Sequence, residues 1–230
     1  RRKKGESPYI LHPMEAAVIV GTMSDDQNLI AAAALHDVVE DAGITIEEIE
    51  SKFGKRVREL VESETEDKRA DLPPTDTWRI RKEESLEVLK NADDVAVLIV
   101  WLGDKLANMR SIYRDFKVEG VNMWQRFNQK DVTQQAWYYR SIVKLTERLS
   151  DTSAWLEYKT LTELVFGKKK KKMNITYRID KNILYIALEG RIDASNAAQA
   201  EEKIFGIKNE NPGKHTVVDA DNLEYISSAG

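Results

Sequence analysis

His36 and Asp37 stand inside Leu35-His36-Asp37-Val38-Val39-Glu40-Asp41, which packs four titratable groups into six residues. Alanines precede this stretch and valines run through it. Burying such groups without a counter-charge is costly. On a helix, His36 and Asp37 point about 100° apart, and Glu40 falls one turn later on their side. A divalent cation is the simplest counter-charge; the alternative is a solvated acidic helix end. Two more residues bear on that choice. Pro13 holds His12 extended at a helix start, a fixed pose suited to a ligand. Asp104 interrupts an apolar stretch late in a helix that otherwise reads as buried, with Asn108 one turn on. Imidazoles combined with carboxylates suit Mn²⁺, Fe²⁺ or Zn²⁺ better than Ca²⁺.

The elements that must carry these residues follow from pattern and composition. The chain has 230 residues, 42% apolar and 32% charged, as in ordinary globular proteins of one large domain or two small ones. No apolar run approaches the ~18 residues that cross a bilayer, so no membrane association is expected. Without cysteine, disulfides and thiolate metal sites are excluded, which suits a cytoplasmic location. A net charge of -4 argues against bulk nucleic-acid binding. The lysine block after Gly167 repels itself and reads as a solvated connector. It divides the chain into a helical segment, 1–167, a basic linker, 168–172, and a strand-bearing segment, 173–230.

In the first segment, helical spacing predicts an all-α bundle. Helices are expected from Pro13 to about Met23, over 28–41, from about Thr77 to Asn91, over 94–116, 131–150 and 152–166. Thr45 and Glu48 have capping-box spacing, and Gly43 ends the helix before them. Trp124, Phe127, Trp137, Tyr138 and Tyr139 read as core rather than as purine-stacking rings.

The ordered set His12, His36-Asp37 and Asp104 resembles the metal quartet of the HD phosphohydrolase superfamily. The longer runs 2–13, 36–41 and 103–110 resemble the RelA/SpoT-type alarmone hydrolase domain, and the likeness spans residues 1–166. Thr65-Glu66-Asp67-Lys68 and Trp78-Arg79-Ile80-Arg81-Lys82 resemble the small stand-alone hydrolases of that group. The resemblance implies removal of the 3′-pyrophosphate of guanosine tetra- and pentaphosphate, usually with Mn²⁺. It implies His12, His36, Asp37 and Asp104 as metal ligands, and Glu40 and Asp41 as the acidic pair that polarises the attacking water. Arg2, Lys3, Asn108 and Arg110 match substrate-binding positions. Lys68, Arg81 and Lys82 would face phosphates, although a solvated helix face explains them equally well. A different 2′- or 3′-phosphorylated nucleotide would keep the same chemistry.

After Met173 the order reads strand, turn at Asp180-Lys181, strand, Asp193-Ala194-Ser195 capping a helix to about Ile207, then strands at 215–220 and 223–226. Gly190-Arg191-Ile192-Asp193 and the stretch 217–230 resemble a STAS domain, the anti-sigma factor antagonist module of bacterial partner switching. This implies an α/β fold of which about half is present, so the chain is expected to be part of something longer. It also implies docking of an anti-sigma factor or another protein partner. The phosphorylated serine of that family matches Ser228, with Ser227 where aspartate is usual and Ala229 where a hydroxyl residue follows. His215 is given no role. The rival to an enzyme is a nucleotide-sensing HD module in a regulator of sigma-factor activity. An intact quartet with Glu40-Asp41 favours the enzyme, since a sensor has no need of the acid pair.

Overall fold

The computed structural model describes residues 8–67, 69, 71–167, 173–192 and 196–226, without the side chains of 224 and 225. Contacts divide the chain into two compact units, 1–167 and 168–230, and each is described by itself. Residues 168–172, read as the linker, lie outside the described residues.

Unit 1 is helical, as the apolar spacing predicts. Its helices are α1 (Leu11–Gly21), α2 (Gln27–Leu35), α3 (Val38–Ala42), α4 (Ile46–Phe53), α5 (Lys55–Glu64), α6 (Pro74–Lys90), α7 (Val95–Glu119), α8 (Val132–Leu145) and α9 (Ser153–Phe166). Local chemistry sets several ends. The Asp94 carboxylate accepts from the amide of Ala96 at the start of α7, relieving a free helix N–H. Thr45 and Glu48 form the predicted reciprocal capping box at α4. Gly43 takes the left-handed conformation, φ 69°, that ends α3.

Helix α7 is the axis of the core, with Leu98, Val100, Trp101, Leu102, Leu106 and Met109 all fully enclosed. Helix α1 lays Ala16, Ile19 and Val20 into the same core, and α2 adds Leu29, Ala32 and Ala33. Trp124, Tyr138 and Tyr139 are core residues, with Phe127 and Trp137 packed against them. The rings therefore fill the interior, as expected.

The helix expected over 131–150 ends at Leu145, and the one over 28–41 departs further. The pattern predicts one helix over 28–41, but α2 stops at Leu35 and α3 begins at Val38, with His36 and Asp37 in the turn between. His36 Nδ1 lies 2.7 Å from the carbonyl of Ala33, the acceptor that an unbroken helix offers to the amide of Asp37. The imidazole competes with the backbone at the residue where the ladder stops. Glu40 thus sits on its own short helix, and the same-face argument for a continuous helix does not hold.

Unit 2 carries a three-stranded sheet in the order β1 (Asn174–Asp180), β2 (Ile183–Ile192), β3 (His215–Ile226). β1 and β2 form an antiparallel hairpin whose last pair is Asp180 with Ile183, so the turn is Lys181-Asn182, one residue later than expected. β3 runs parallel to β2 after the crossover helix α10 (Ala197–Glu210). The expected pair of strands, 215–220 and 223–226, is one strand whose register shifts against β2 absorb the irregularity. Alternate residues of β2, with Ala200 and Ile207 of α10, make a small separate core. Residues 193–195, expected to cap α10, lie outside the described residues; Asn196 stands at its N-cap.

Candidate metal centre

Three elements of unit 1 converge. His12 comes from the first turn of α1, His36 and Asp37 from the turn between α2 and α3, and Asp104 from α7. The two Nε2 atoms of His12 and His36 are 3.2 Å apart. Asp104 Oδ1 lies 3.0 Å from His12 Nε2 and 3.4 Å from His36 Nε2. Asp37 Oδ2 lies 3.0 Å from His36 Nε2 and 3.7 Å from His12 Nε2. Ligand-type atoms of His12, His36 and Asp37 all fall within 4.8 Å of one another. The histidines and Asp104 are buried, whereas the Asp37 side chain is 24% exposed, so the cluster opens on its Asp37 side.

The imidazole of His36 is oriented by its backbone contact. Nδ1 faces a carbonyl, which only accepts, so Nδ1 carries the proton and Nε2 presents a lone pair to the cluster in the neutral ring. Two imidazole nitrogens and two carboxylate oxygens gathered on one point form the donor set of a divalent transition metal.

The electrostatics agree with that fit. Burial alone would lower the His36 imidazole, but the Asp104 carboxylate, aided by Asp37 and Glu64, pushes it up to about 12. Burial opposes ionisation of Asp104, yet Lys105 and His36 hold its carboxyl well below the usual range. Without that proton the Asp37 and Asp104 carboxylates would face two neutral imidazoles, and a divalent cation would supply the charge they need.

Asp104 is held from both sides. Asn108 Nδ2 donates to its Oδ1 at 2.7 Å, and the Lys105 ammonium donates to Oδ2. Asn108 therefore joins the cluster through Asp104. Arg110 does not: its guanidinium forks onto Glu157, at 2.7 and 2.6 Å, and reaches Glu15 at 3.3 Å. Six residues beyond Asp104, it points about 120° away around the helix. Arg2, Lys3, Lys68 and Ser228 lie outside the described residues.

Glu40 and Asp41 lie on α3, just after the turn that carries His36 and Asp37. Glu40 Oε1 accepts from the amide of Glu66 at 2.7 Å. Asp41 stands beside Tyr9, whose hydroxyl donates to Asp37 Oδ2. Behind them lies a second network. The largely buried Glu66 carboxylate accepts from Lys82 at 2.6 Å, Arg81 at 3.1 Å and Ser85 at 2.9 Å. Burial pushes the Glu66 carboxyl up, but Lys82, with Lys105 and Ser85, outweighs this and holds it below the ordinary range. Arg81 and Lys82 also line a pocket of about 190 Å³ with Trp78, Phe127 and Gln135.

Sequence reasoning missed Tyr9, Glu64, Glu66 and Lys105 as parts of this centre. For Lys105 there was a signal: a cation next to Asp104 inside an apolar helix. For the others the partners are remote in sequence.

Geometry and motif order together define the class: the chain belongs to the HD domain family, whose model matches residues 1–132. Among curated relatives it is 40% identical over 112 residues to a probable guanosine-3′,5′-bis(diphosphate) 3′-pyrophosphohydrolase of Synechocystis. That match covers 49% of this chain and 14% of the relative. It is 36% identical over 113 residues to the guanosine-3′,5′-bis(diphosphate) 3′-pyrophosphohydrolase of Aquifex aeolicus, covering 49% of this chain and 16% of the relative. A Brucella ovis relative, 39% identical over 112 residues, covering 49% of this chain and 15% of the relative, is named a GTP pyrophosphokinase. The chain thus spans only a small part of these proteins. Among solved structures, lmo0812 of Listeria monocytogenes EGD-e superposes with a TM-score of 0.60 at 28% identity, over 68% of this chain and 99% of that one. A metazoan ortholog of SpoT, described as hydrolysing ppGpp, superposes with a TM-score of 0.56 at 28% identity, over 71% and 85%. In this chain no described helix is long and apolar enough to cross a membrane.

Proposed function

We propose that the helical unit is a metal-dependent phosphohydrolase that removes the 3′-pyrophosphate of guanosine tetra- or pentaphosphate. The observation that carries this reading is the convergence of His12, His36, Asp37 and Asp104, with histidine–aspartate separations of 3.0–3.7 Å, on a buried point. In the reading those four side chains hold the cation, Mn²⁺ first among the candidates. When bound, such a cation supplies Lewis acidity to water and phosphoryl oxygen. The names of the Synechocystis and Aquifex relatives support the substrate class and favour hydrolysis over a sensing-only role.

The chain's own groups then have defined tasks. Glu40, fixed by the Glu66 amide, accepts the proton of the attacking water, and Asp41 shares this acidic edge. Tyr9 holds Asp37 in its orientation. Arg2 and Lys3, with Asn108 beside Asp104, contact the nucleotide. Arg110, engaged by Glu157 and Glu15, would serve only after exchanging those partners. The test is to assay the metal content of protein purified without chelator, then incubate the Mn²⁺-loaded chain with guanosine polyphosphates and nucleoside bisphosphates. Release of pyrophosphate from the 3′ position is expected. Absence of metal, with no activity restored by Mn²⁺, would overturn the reading.

We also propose that residues 173–230 are part of a STAS-like module that docks a protein partner such as an anti-sigma factor, with Ser228 at the contact surface. The hairpin, crossover helix and parallel third strand support this. If 168–172 is a solvated linker, trypsin cuts there first and residues 1–167 keep full hydrolysis. Protection of the lysine run, together with loss of activity on truncation, would refute it.

A further inference from the structure

Glu64, the last residue of α5, is only 8% exposed, and neither carboxylate oxygen has a hydrogen-bond partner. Nor, among the described residues, does any ion pair within 4.0 Å reach it, although Lys105, Asp104, His36 and Asp37 all act on its charge. The carboxylate is therefore near enough to act on the charges of the cluster while paired with none of them. The adjoining residue is anchored, because the Trp101 indole N–H donates to the carbonyl of Ser63 at 3.3 Å. Helix α5 is thus tied to α7 just beside the centre. A second buried group acts on the same lysine: the Tyr138 hydroxyl likewise lacks a partner among the described residues. Native interiors leave few such groups unsatisfied, and each costs roughly 1–3 kcal/mol, more when charged. Two orphaned polar groups near one buried lysine are partners of the kind an ordered water takes, which needs two to four polar neighbours.

Taking the metal reading above as its basis, we propose that Glu64 is an outer carboxylate of the centre. It accepts hydrogen bonds from water that completes the cation's shell, on the side facing Lys105 and Tyr138. Having no hydrogen bond or ion pair to the cluster among the described residues, Glu64 would reach the cation through water rather than as a ligand. The role also explains why a charge is kept in the core. It supplements the charge of Asp37 and Asp104, and its burial is compensated only in the loaded protein.

The test is Glu64→Gln in the 230-residue chain. Calorimetric titration with Mn²⁺ should show affinity falling about 10–100-fold, the scale for loss of an outer-shell partner. A purely structural Glu64 predicts unchanged affinity, and an affinity within twofold of the parent overturns the proposal. Should the variant fail to fold, a crystal structure of the parent loaded with Mn²⁺ decides the matter. Ordered water linking Glu64 to the cation supports the proposal, and an apolar or empty contact there refutes it. If the parent binds no divalent cation, the metal reading and this inference fall together. If it binds and the variant binds equally well, only the inference falls.

Discussion

Gly103 lies against Val20: a Cβ built on Gly103 would stand 2.6 Å from Val20 Cγ2 and 3.1 Å from the carbonyl oxygen of Ala16. The valine is stiff and the carbonyl is backbone, so neither can give way easily. Glycine at 103 is therefore what lets α7 meet α1 closely enough for Asp104 to reach His12 at 3.0 Å.

Gly103→Ala should destabilise the helical unit by about 1–3 kcal/mol through overpacking. It should also weaken Mn²⁺ binding by moving Asp104 away from His12. Urea denaturation and metal titration check the two effects. In an open helix interior the same change would stabilise by ~0.5–1 kcal/mol. A gain in stability would mean that the close approach is absent.

Tyr9→Phe removes the hydroxyl that donates to Asp37 Oδ2 and leaves the ring in place. Metal affinity should fall by about 10-fold or more, as for other partners of metal ligands, with circular dichroism unchanged. Unaltered affinity would show that Asp37 needs no such support.

Glu40→Gln and His36→Ala should separate catalysis from metal binding. The first spares the four proposed ligands, so metal stays while turnover drops roughly 10²–10⁴-fold, the scale of a lost general base. The second removes Nε2 from the cluster, so metal and activity go together. Metal analysis beside an initial-rate assay distinguishes them. Metal loss in the glutamine variant would make Glu40 a ligand or a structural residue instead.

Glu66→Gln should cost about 3–5 kcal/mol at neutral pH, because the desolvated Lys82 loses the carboxylate that offsets its burial. The folded Glu66 carboxyl is held below its ordinary value. Its contribution is thus complete above the unfolded value of about 4.3 and is lost as pH falls through the folded value. The stability gap between parent and variant should therefore be constant from pH 6 to 7 on denaturant curves and shrink in acid below about pH 4. A gap that widened in acid would contradict the assignment.

Several features were determined by sequence alone because their causes are local. The capping box of Thr45 and Glu48, the left-handed end at Gly43, and the buried course of α7 each depend on residues a few positions apart. His36, Asp37 and Asp104 stood out from their local surroundings as candidates, and Asn108 from its place one turn beyond Asp104, whereas His12, expected extended before Pro13, lies inside α1. Tertiary structure decided the rest. The break at His36 depends on an imidazole taking a backbone carbonyl in preference to the helix ladder, a competition that apolar spacing does not encode. The amide of Glu66 reaches Glu40 across 26 positions, and Arg110 chooses Glu157 across 47. Glu64 is buried unpartnered only because α5 and α7 meet where they do. Such contacts arise when helices dock, and their energies depend on burial and on facing charges rather than on neighbours along the chain.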